Sequence, residues 1–506
     1  MIKMKHGPWI RTGFRWTGPA WLQPYVEQFL QPELPFYEYG GMDIEQRYSE
    51  IDHRGDVSLK TRFTRNISIN IPIVSSPMAT VTGSEMAIAM GLIGGVGVLH
   101  RALSIEEQVR ELRRIKHKVH MGKPIYHPVK LTQDHTKADA LEMFNEARFG
   151  RRIGSIVIVD NFNENHVVGI VTPRRIKGYE PPETKLSDIM ATPCITAPFD
   201  ISLEAAERVM RSEPYIKQLP LVDERRVLKG LITLQDIDLM RKHPDAALDE
   251  KGRILGVVAV GLDDLADRAE ALAQEKPDAF VIDIAHGSMR RSYDAVRYLK
   301  RKYDIDVVAG NVMAPDLIVM AYEVGADAVR INIGPGAECT TRRNTGVGGS
   351  ALTNTLRCAE VARDMPVLPD GGIRFGQDLA DALAAGGSCA MIGTLFAGTD
   401  EAPGDLEPLP GGTLAKRHFG MASNTARRAL EETRIIRENL RRSGLVERSV
   451  LGASPEGKDN DWIPYRGSVV DTISSLLGWL RSTMSYIGAS TVDEMPHRVI
   501  FNPRAQ

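Results

Sequence analysis

Four cysteines in 506 residues, Cys194, Cys339, Cys358 and Cys389, are too few and too widely spaced to form a disulfide framework. No Cys-x-x-Cys pair or metal-ligand rhythm occurs among them, which argues against a structural zinc site. Sparse, unpaired cysteines suit a reducing compartment. No apolar run approaches the ~18 residues of a membrane span. With a formal net charge of −2, nothing calls for nucleic acid or a membrane surface as partner. The N-terminus carries Lys3, Lys5 and His6, then turns aromatic and proline-punctuated, without an apolar signal core. The expectation is a soluble, cytoplasmic protein. A strand–GxGxxG–helix unit is also missing, which excludes a Rossmann-type dinucleotide site.

What is present is a substantial core and a repeating order. Apolar residues make up 43% of the chain, and the length suits two or three domains. Short β-rich runs alternate with helical stretches, the pattern of parallel βα units. The runs are Ile71 to Ser75, Gly95 to Leu99, Leu255 to Val260, Ala279 to Ile284, Asp306 to Ala309, Ala328 to Ile333, Pro366 to Leu368 and Ala390 to Ile392. Helices are expected over Ser104 to Lys118, Leu262 to Glu275, Ser288 to Tyr303 and Pro315 to Val324. The eight runs predict an α/β fold, a (β/α)8 TIM barrel. A doubly wound sheet would also alternate, but it would not explain eight similarly decorated strand ends. Those ends carry Ser75-Ser76-Pro77-Met78, His100, Asp283, Gly310-Asn311, Gly334-Pro335-Gly336, Asp370-Gly371-Gly372 and Gly393-Thr394. Barrel sites form at the carboxyl ends of strands, so these residues should converge.

A long insertion, 121–244, separates the second run from the third and contains an internal repeat. Val167-Val168-Gly169-Ile170-Val171-Thr172 is echoed by Leu228-Lys229-Gly230-Leu231-Ile232-Thr233. Each follows a strand that ends in aspartate, Asp160 and then Asp223, and Pro181-Pro182 marks the expected join.

The densest chemistry lies at Gly334-Pro335-Gly336-Ala337-Glu338-Cys339-Thr340-Thr341-Arg342-Arg343-Asn344-Thr345-Gly346-Val347-Gly348. The glycines permit backbone angles that other residues avoid, so the loop can turn tightly or move. Nearby arginines favour a thiolate, and the thiolate is the nucleophile. A cationic, glycine-rich setting does not suit an inert core cysteine, so Cys339 is read as a covalent catalyst.

This loop, with Cys-Thr-Thr-Arg followed by Thr-Gly-Val-Gly, resembles the catalytic loop of the IMP dehydrogenase and GMP reductase family. The insertion looks like the tandem CBS pair, or Bateman domain, found in that family. Residues 1–40 match nothing in the family and are read as an unassigned N-terminal arm; the resemblance implies a catalytic barrel over 41–120 and 245–506 with a flap at about 424–464, and a regulatory CBS pair at 121–244. It implies an enzyme of purine metabolism in which Cys339 attacks C2 of a purine nucleoside monophosphate, with Thr341 beside it. Ser76, Met78, Asp370, Gly371, Gly372, Gly393, Thr394, Gly420, Met421 and Glu456 would hold the substrate. Asp370 would take the ribose hydroxyls and the glycines the phosphate; Glu456 would read N1 of the base. Asp283, His286, Asn311 and Gly334 would meet NAD or NADPH. Helix capping is the plain alternative for Asp283. Potassium would sit on carbonyls of Gly334, Gly336 and Cys339. Thr233 and Asp236 form a Thr-x-x-Asp pair expected to hold a regulatory adenine or guanine nucleotide, unless Thr233 only caps a helix. The first module has Thr172 with Arg175 in the aspartate position. A homotetramer or octamer is the family's assembly.

Several positions depart from the family. Ala337 and Ala79 stand where a serine and an aspartate are usual, and His418 stands in for a tyrosine that meets phosphate. Arg357 occupies the position at which a reductase glutamate is expected in the helix after the loop, which favours the dehydrogenase. The Arg-Tyr pair of a dehydrogenase flap is missing from Asn424 to Ser454, which reads instead as an amphipathic helix. There Ala429, Leu430, Thr433, Ile436 and Leu440 share one side, and Arg427, Arg428, Arg434 or Arg437 could supply the missing cation. NAD-linked oxidation of IMP to XMP ranks first. NADPH-linked reduction of GMP or a related purine nucleotide is the alternative. A weakened homologue sensing nucleotides through its CBS pair is the third reading.

Overall fold

The computed structural model describes residues 37–146, 153–212, 216–426, 456–459 and 461–504. The chain divides into two compact units, one running to Leu112 and resuming at Gly256, the other spanning Arg113–Leu255.

The larger unit is a parallel barrel of eight strands: β1 (Ile73–Ser75), β2 (Val96–Leu99), β3 (Val257–Val260), β4 (Ala279–Ile282), β5 (Asp306–Val312), β6 (Ala328–Ile331), β7 (Val367–Pro369) and β8 (Ala390–Ile392). Hydrogen-bonded neighbours run in the order β7-β6-β5-β4-β3-β2-β1-β8. A parallel bridge from Asp370 to Met391 joins the two ends, and this closure excludes the open doubly wound sheet. The strands read as unbroken apolar runs because both faces are covered, by side chains inside and helices outside. All of Val257–Val260 and Ala279–Ile282 is buried accordingly.

Each strand is followed by a helix: α1 (Ser84–Leu92), α2 (Ile105–Lys116), α3 (Leu265–Ala273), α4 (Arg290–Lys302), α5 (Pro315–Glu323), α6 (Ala351–Val361), α7 (Gly376–Ala384) and the short α8 (Thr394–Ala397). In α4 the buried residues Ser292, Ala295, Val296 and Leu299 recur at helical spacing. Lys300, Arg301 and Lys302 sit in its last turn, where cations complement the exposed carbonyls. Pro315 opens α5, where its missing N–H costs nothing.

A ninth helix, α9 (Val469–Ile487), was not anticipated. It buries Val469, Ile473, Leu476, Leu480, Met484 and Ile487 on one stripe against α7 and α1. Full burial of such side chains contributes roughly 2 kcal/mol each. Ser468 caps its start by accepting the Val470 N–H at 3.2 Å, and Gly488 ends it at φ 70°. A short ribbon, β9 (Leu414–His418) antiparallel to β10 (Asp461–Pro464), places His418 opposite Asp461.

The smaller unit holds two three-stranded sheets of the same design. Lys130–Thr132 lies parallel to Ile156–Val159, which is antiparallel to Val167–Val171. Ala197–Pro198, Gln218–Val222 and Leu228–Thr233 repeat that order. Pro181-Pro182 does not mark the join. The Pro182 carbonyl accepts the Ala138 N–H at 2.9 Å at the start of the first repeat's helix, and Leu186 belongs to that repeat's core. The chain therefore passes to the second repeat after Ala191, which still bridges Ile170 of the first.

Candidate active site

The apolar strand β6 delivers the chain into Gly334-Pro335-Gly336, and the site is built on this turn. Gly334 takes φ 98°, a left-handed conformation that a side chain would strain. The turn after β7 packs directly against it, with Gly371 and Gly372 at φ 80° and 85°. A Cβ at Gly371 would lie 3.1 Å from the Gly336 nitrogen, and one at Gly372 would lie 3.3 Å from Pro335. The aspartate–diglycine turn and the cysteine loop thus meet as expected.

Cys339 is half-buried, whereas Cys194, Cys358 and Cys389 are buried. Burial pushes the Cys358 thiol up to about 12, with a smaller lowering by Arg357, and that of Cys194 to about 11. Cys339 Sγ lies 3.4 Å from Thr341 Oγ1, which donates to Glu456 Oε2 at 2.7 Å. Cysteine, hydroxyl and carboxylate therefore form one chain of contacts along which a proton can move. The backbone fixes it: Thr340 N donates to Glu456 O at 2.8 Å and Lys458 N to Glu338 O at 3.0 Å, zipping 338–340 to 456–458. The Arg342 guanidinium meets Glu38, whose other oxygen accepts the Ala351 N–H at 2.9 Å at the start of α6. Within the described part of the N-terminal arm, Tyr37 to Gly40, the contacts are made to this chain's own site loop and helices: Tyr39 OH meets Thr355 Oγ1 at 2.8 Å and Gly40 N donates to Asp381 at 2.7 Å.

The carboxylate beside Thr341 corrects one expectation. Arg357 lies on α6 and acts on Asp316 of α5, in the outer helical layer. The position facing Thr341 is filled from the C-terminal part of the flap segment, by Glu456. The Arg357 argument for the dehydrogenase therefore falls away.

On the predicted phosphate side, His418 is fully buried and both ring nitrogens meet hydroxyls. Nδ1 lies 2.6 Å from Thr80 Oγ1 and Nε2 lies 3.3 Å from Thr394 Oγ1. Desolvation lowers this imidazole to about 4, against a smaller opposing effect of Asp461. Met78 abuts Gly393, where a Cβ would lie 3.0 Å from its sulfur, and Met421 Sδ accepts the Ala79 N–H at 3.3 Å. Ser76 is buried beside them, with its carbonyl accepting from Thr82 Oγ1 at 2.6 Å. Gly420 N donates to Lys458 O at 3.0 Å. These contacts gather Ser76, Met78, Gly393, Thr394 and Met421 into one group, and Gly420 packs against the cysteine loop, where a Cβ would lie 3.0 Å from the Glu338 carbonyl.

The cofactor candidates form a second group, held by a residue that the sequence reading passed over. Arg330, in the middle of β6 and nearly inaccessible, reaches Asp283 Oδ1 at 3.1 Å and Asp370 Oδ2 at 2.8 Å. Asn311 Nδ2 also donates to Asp370 Oδ2 at 2.8 Å, and Arg101 Nε to the Asp283 carbonyl at 2.9 Å. Asp283 caps no helix, since α4 begins at Arg290 with Met289 at its cap. His286 is exposed and meets only Ser288 Oγ, at 3.1 Å, among its hydrogen-bond partners in the described residues. The signal for Arg330 was a charge inside an otherwise apolar run.

The flap's base is pinned by Asp459, which accepts from Thr425 N at 2.8 Å and Asn424 Nδ2 at 3.1 Å. Arg427, Arg428, Arg434, Arg437 and the rest of the expected amphipathic helix lie outside the described residues. In the smaller unit, Thr233 caps the helix Leu234–Lys242 by accepting the Asp236 N–H at 3.1 Å and donates to Asp236 Oδ2 at 2.6 Å. Asp236 Oδ1 also accepts His120 N at 3.0 Å. The Arg175 guanidinium donates to the Ile189 carbonyl at 2.9 Å. No described helix is long and apolar enough to cross a membrane.

Comparison with known proteins agrees with this geometry. The chain is 38% identical over 485 residues to inosine-5'-monophosphate dehydrogenase of Aquifex aeolicus, covering 94% of each. It is 39% identical over 443 residues to that of Helicobacter pylori strain J99, covering 87% of this chain and 88% of the other. Among solved structures, a cysteine-to-alanine variant of Trypanosoma brucei GMP reductase in complex with guanosine 5'-monophosphate superposes with TM-score 0.80 at 33% identity, covering 95% and 97% of the two chains. The same reductase in complex with guanosine 5'-triphosphate gives TM-score 0.72 at 30% identity, covering 95% and 100%. The family profile described as "IMP dehydrogenase / GMP reductase domain" matches residues 37–506, and the chain belongs to that family.

Proposed function

We propose that the chain is an NAD(P)-dependent oxidoreductase of purine nucleoside monophosphates, and that it oxidises IMP to XMP with NAD. The observation that carries this reading is the Cys339–Thr341–Glu456 chain of contacts on a loop packed against Asp370-Gly371-Gly372. The Cys339 sulfur bonds to C2 of the purine, and the C2 hydrogen leaves with its electron pair. NAD supplies the hydride acceptor. Water then displaces the sulfur, giving XMP and the free thiol. Thr341 and Glu456 hold and move the proton of that water. Asp370, steadied by Arg330 and Asn311, orients the ribose, while Gly371, Gly372, Gly393, Thr394 and His418 surround the phosphate. Asp283, with Asn311 and Gly334 nearby, receives the cofactor.

A second reading, NADPH-linked reduction of GMP to IMP, is favoured by the carboxylate found against Thr341, suited to protonating a departing amine. The Trypanosoma brucei reductase neighbours support it too. The intact Cys339–Thr341–Glu456 chain counts against a purely sensing homologue.

Residues 121–244 are proposed as a regulatory CBS pair, with Thr233 and Asp236 as its nucleotide contacts; the paired sheets and the guanosine 5'-triphosphate complex of the neighbour support this. Potassium on the carbonyls of Gly334, Gly336 and Cys339, a tetrameric or octameric assembly and a cytoplasmic location complete the proposal.

The test is to mix the protein with IMP and NAD, and separately with GMP and NADPH, following reduced nicotinamide by absorbance. A rise in the first mixture supports oxidation, and a fall in the second supports reduction. Cys339→Ser should lose at least about 10³-fold in kcat while nucleotide binding survives. Full activity in that variant would overturn covalent catalysis.

A further inference from the structure

The ladder between 338–340 and 456–458 fastens the start of the cysteine loop. The far half is a short helix, Thr341–Thr345, followed by Gly346, Val347, Gly348 and Gly349. A Cβ at Gly346 would meet nothing within 4 Å, and Val347 is 51% exposed, so packing does little to hold that half in place. Arg342 ties it down instead. Its stem lies over both ends of the loop: a Cβ at Gly334 would come within 2.6 Å of Arg342 Cβ, and one at Gly348 within 2.7 Å. The guanidinium then reaches Glu38 of the N-terminal arm.

Glu38 is itself firmly set. Before it, Tyr37 N donates to Thr353 Oγ1 at 2.8 Å and Leu352 N donates to Tyr37 O at 3.1 Å. After it, Tyr39 OH meets Thr355 Oγ1 at 2.8 Å. Its second oxygen accepts the Ala351 N–H in the first turn of α6, where the Ser350 side chain makes no cap. A carboxylate is favoured there by the field of the helix. Arg342 and Glu38 are 44% and 45% exposed, and ion pairs so exposed add little to stability. Their effect is on placement, because the carboxylate is fixed to the barrel and the cation to the loop.

We propose that Glu38 is a positioning residue: it braces Arg342 against the first turn of α6 and so holds the far half of the cysteine loop where Cys339 can react. Thr341 opens the helix that carries Arg342, so a loop that drifts takes Thr341 away from Cys339 Sγ and from Glu456. Misplacement on that scale slows the chemical step more than it weakens binding. This inference rests on Cys339 being the reacting thiol.

The experiment uses the whole enzyme with Glu38→Gln, with Arg342→Gln and with both. Glu38→Gln keeps an oxygen for the Ala351 N–H but loses the charge that holds Arg342. Its kcat should fall about tenfold, with KM for the nucleotide changed by less than about twofold. Arg342→Gln should fall about as far and the double variant no further, because the two side chains form one brace. In parallel, amide hydrogen exchange in Glu38→Gln should quicken over 341–349 while 352–361 keeps its wild-type protection. An unchanged kcat in Glu38→Gln, or losses that multiply in the double variant, overturns the brace. So does exchange that quickens only at the start of α6, the pattern of a residue that merely caps the helix. If neither nucleotide mixture is turned over by the wild type, the oxidoreductase reading fails, yet hydrogen exchange still decides whether Glu38 holds the loop.

Discussion

At the scale of single residues, the decisive one is Arg330. Its guanidinium spans two carboxylates that belong to different parts of the proposed chemistry, Asp283 at 3.1 Å and Asp370 at 2.8 Å. Only a forked, planar cation can hold both at once. Arg330→Lys keeps the charge but reaches one partner, so the other carboxylate is left without its cation. The expected result is a KM increase of about tenfold for both nucleotide and cofactor, with kcat changed less, in steady-state kinetics. An effect confined to one of the two ligands would show that the bridge does not couple them. Arg330 illustrates what the sequence concealed. Cys339 announces itself by a polar, glycine-rich setting, but Arg330 sits inside a run of barrel residues and its two partners lie 47 and 40 positions away. Glu456 was legible as a substrate contact, yet its bond to Thr341, 115 positions away, was not. Looking for that carboxylate on the next helix led to Arg357 instead.

At the scale of elements, all eight barrel strands were legible, because strands covered on both faces leave continuous apolar runs. Helix α9 was missed because it follows the βα alternation instead of taking part in it. Contact between the loop after β6 and the turn after β7 is what neither run predicts by itself. Gly371 makes it possible: it holds φ 80° and leaves only a tight space for a Cβ, which would approach the Gly336 nitrogen to 3.1 Å. Gly371→Ala should cost about 1–2 kcal/mol in backbone strain, measured by thermal or denaturant unfolding. Its effect on turnover should be larger, about 10²-fold, because the displaced loop carries Cys339. Loss of stability with unchanged kcat would mean that the two turns do not position one another.

At the scale of the whole molecule, buried titratable groups pull the pH dependence of stability in opposite directions. His100 and His418 are both lowered to about 4 by desolvation, each with smaller effects from nearby charges. Between about 4 and about 6.5 the unfolded chain binds more protons at these sites, so their burial weakens the fold as pH falls through that window. Glu338 and Asp381 are both raised to about 7, chiefly by burial, and they act in reverse. From about 7 down to about 4.5 the folded chain holds more protons at them, so stability rises as pH falls. Each group contributes on the order of 3–4 kcal/mol across its window, enough for the four to offset one another largely. The separate terms become visible when one is removed. For His418→Asn, the melting temperature of wild type minus variant should fall by a few degrees between about pH 6.5 and about pH 4.5. For Glu338→Gln the same difference should rise over that interval, because wild type alone gains the proton. Parallel shifts in the two variants would show that one of these buried groups does not titrate as its surroundings require.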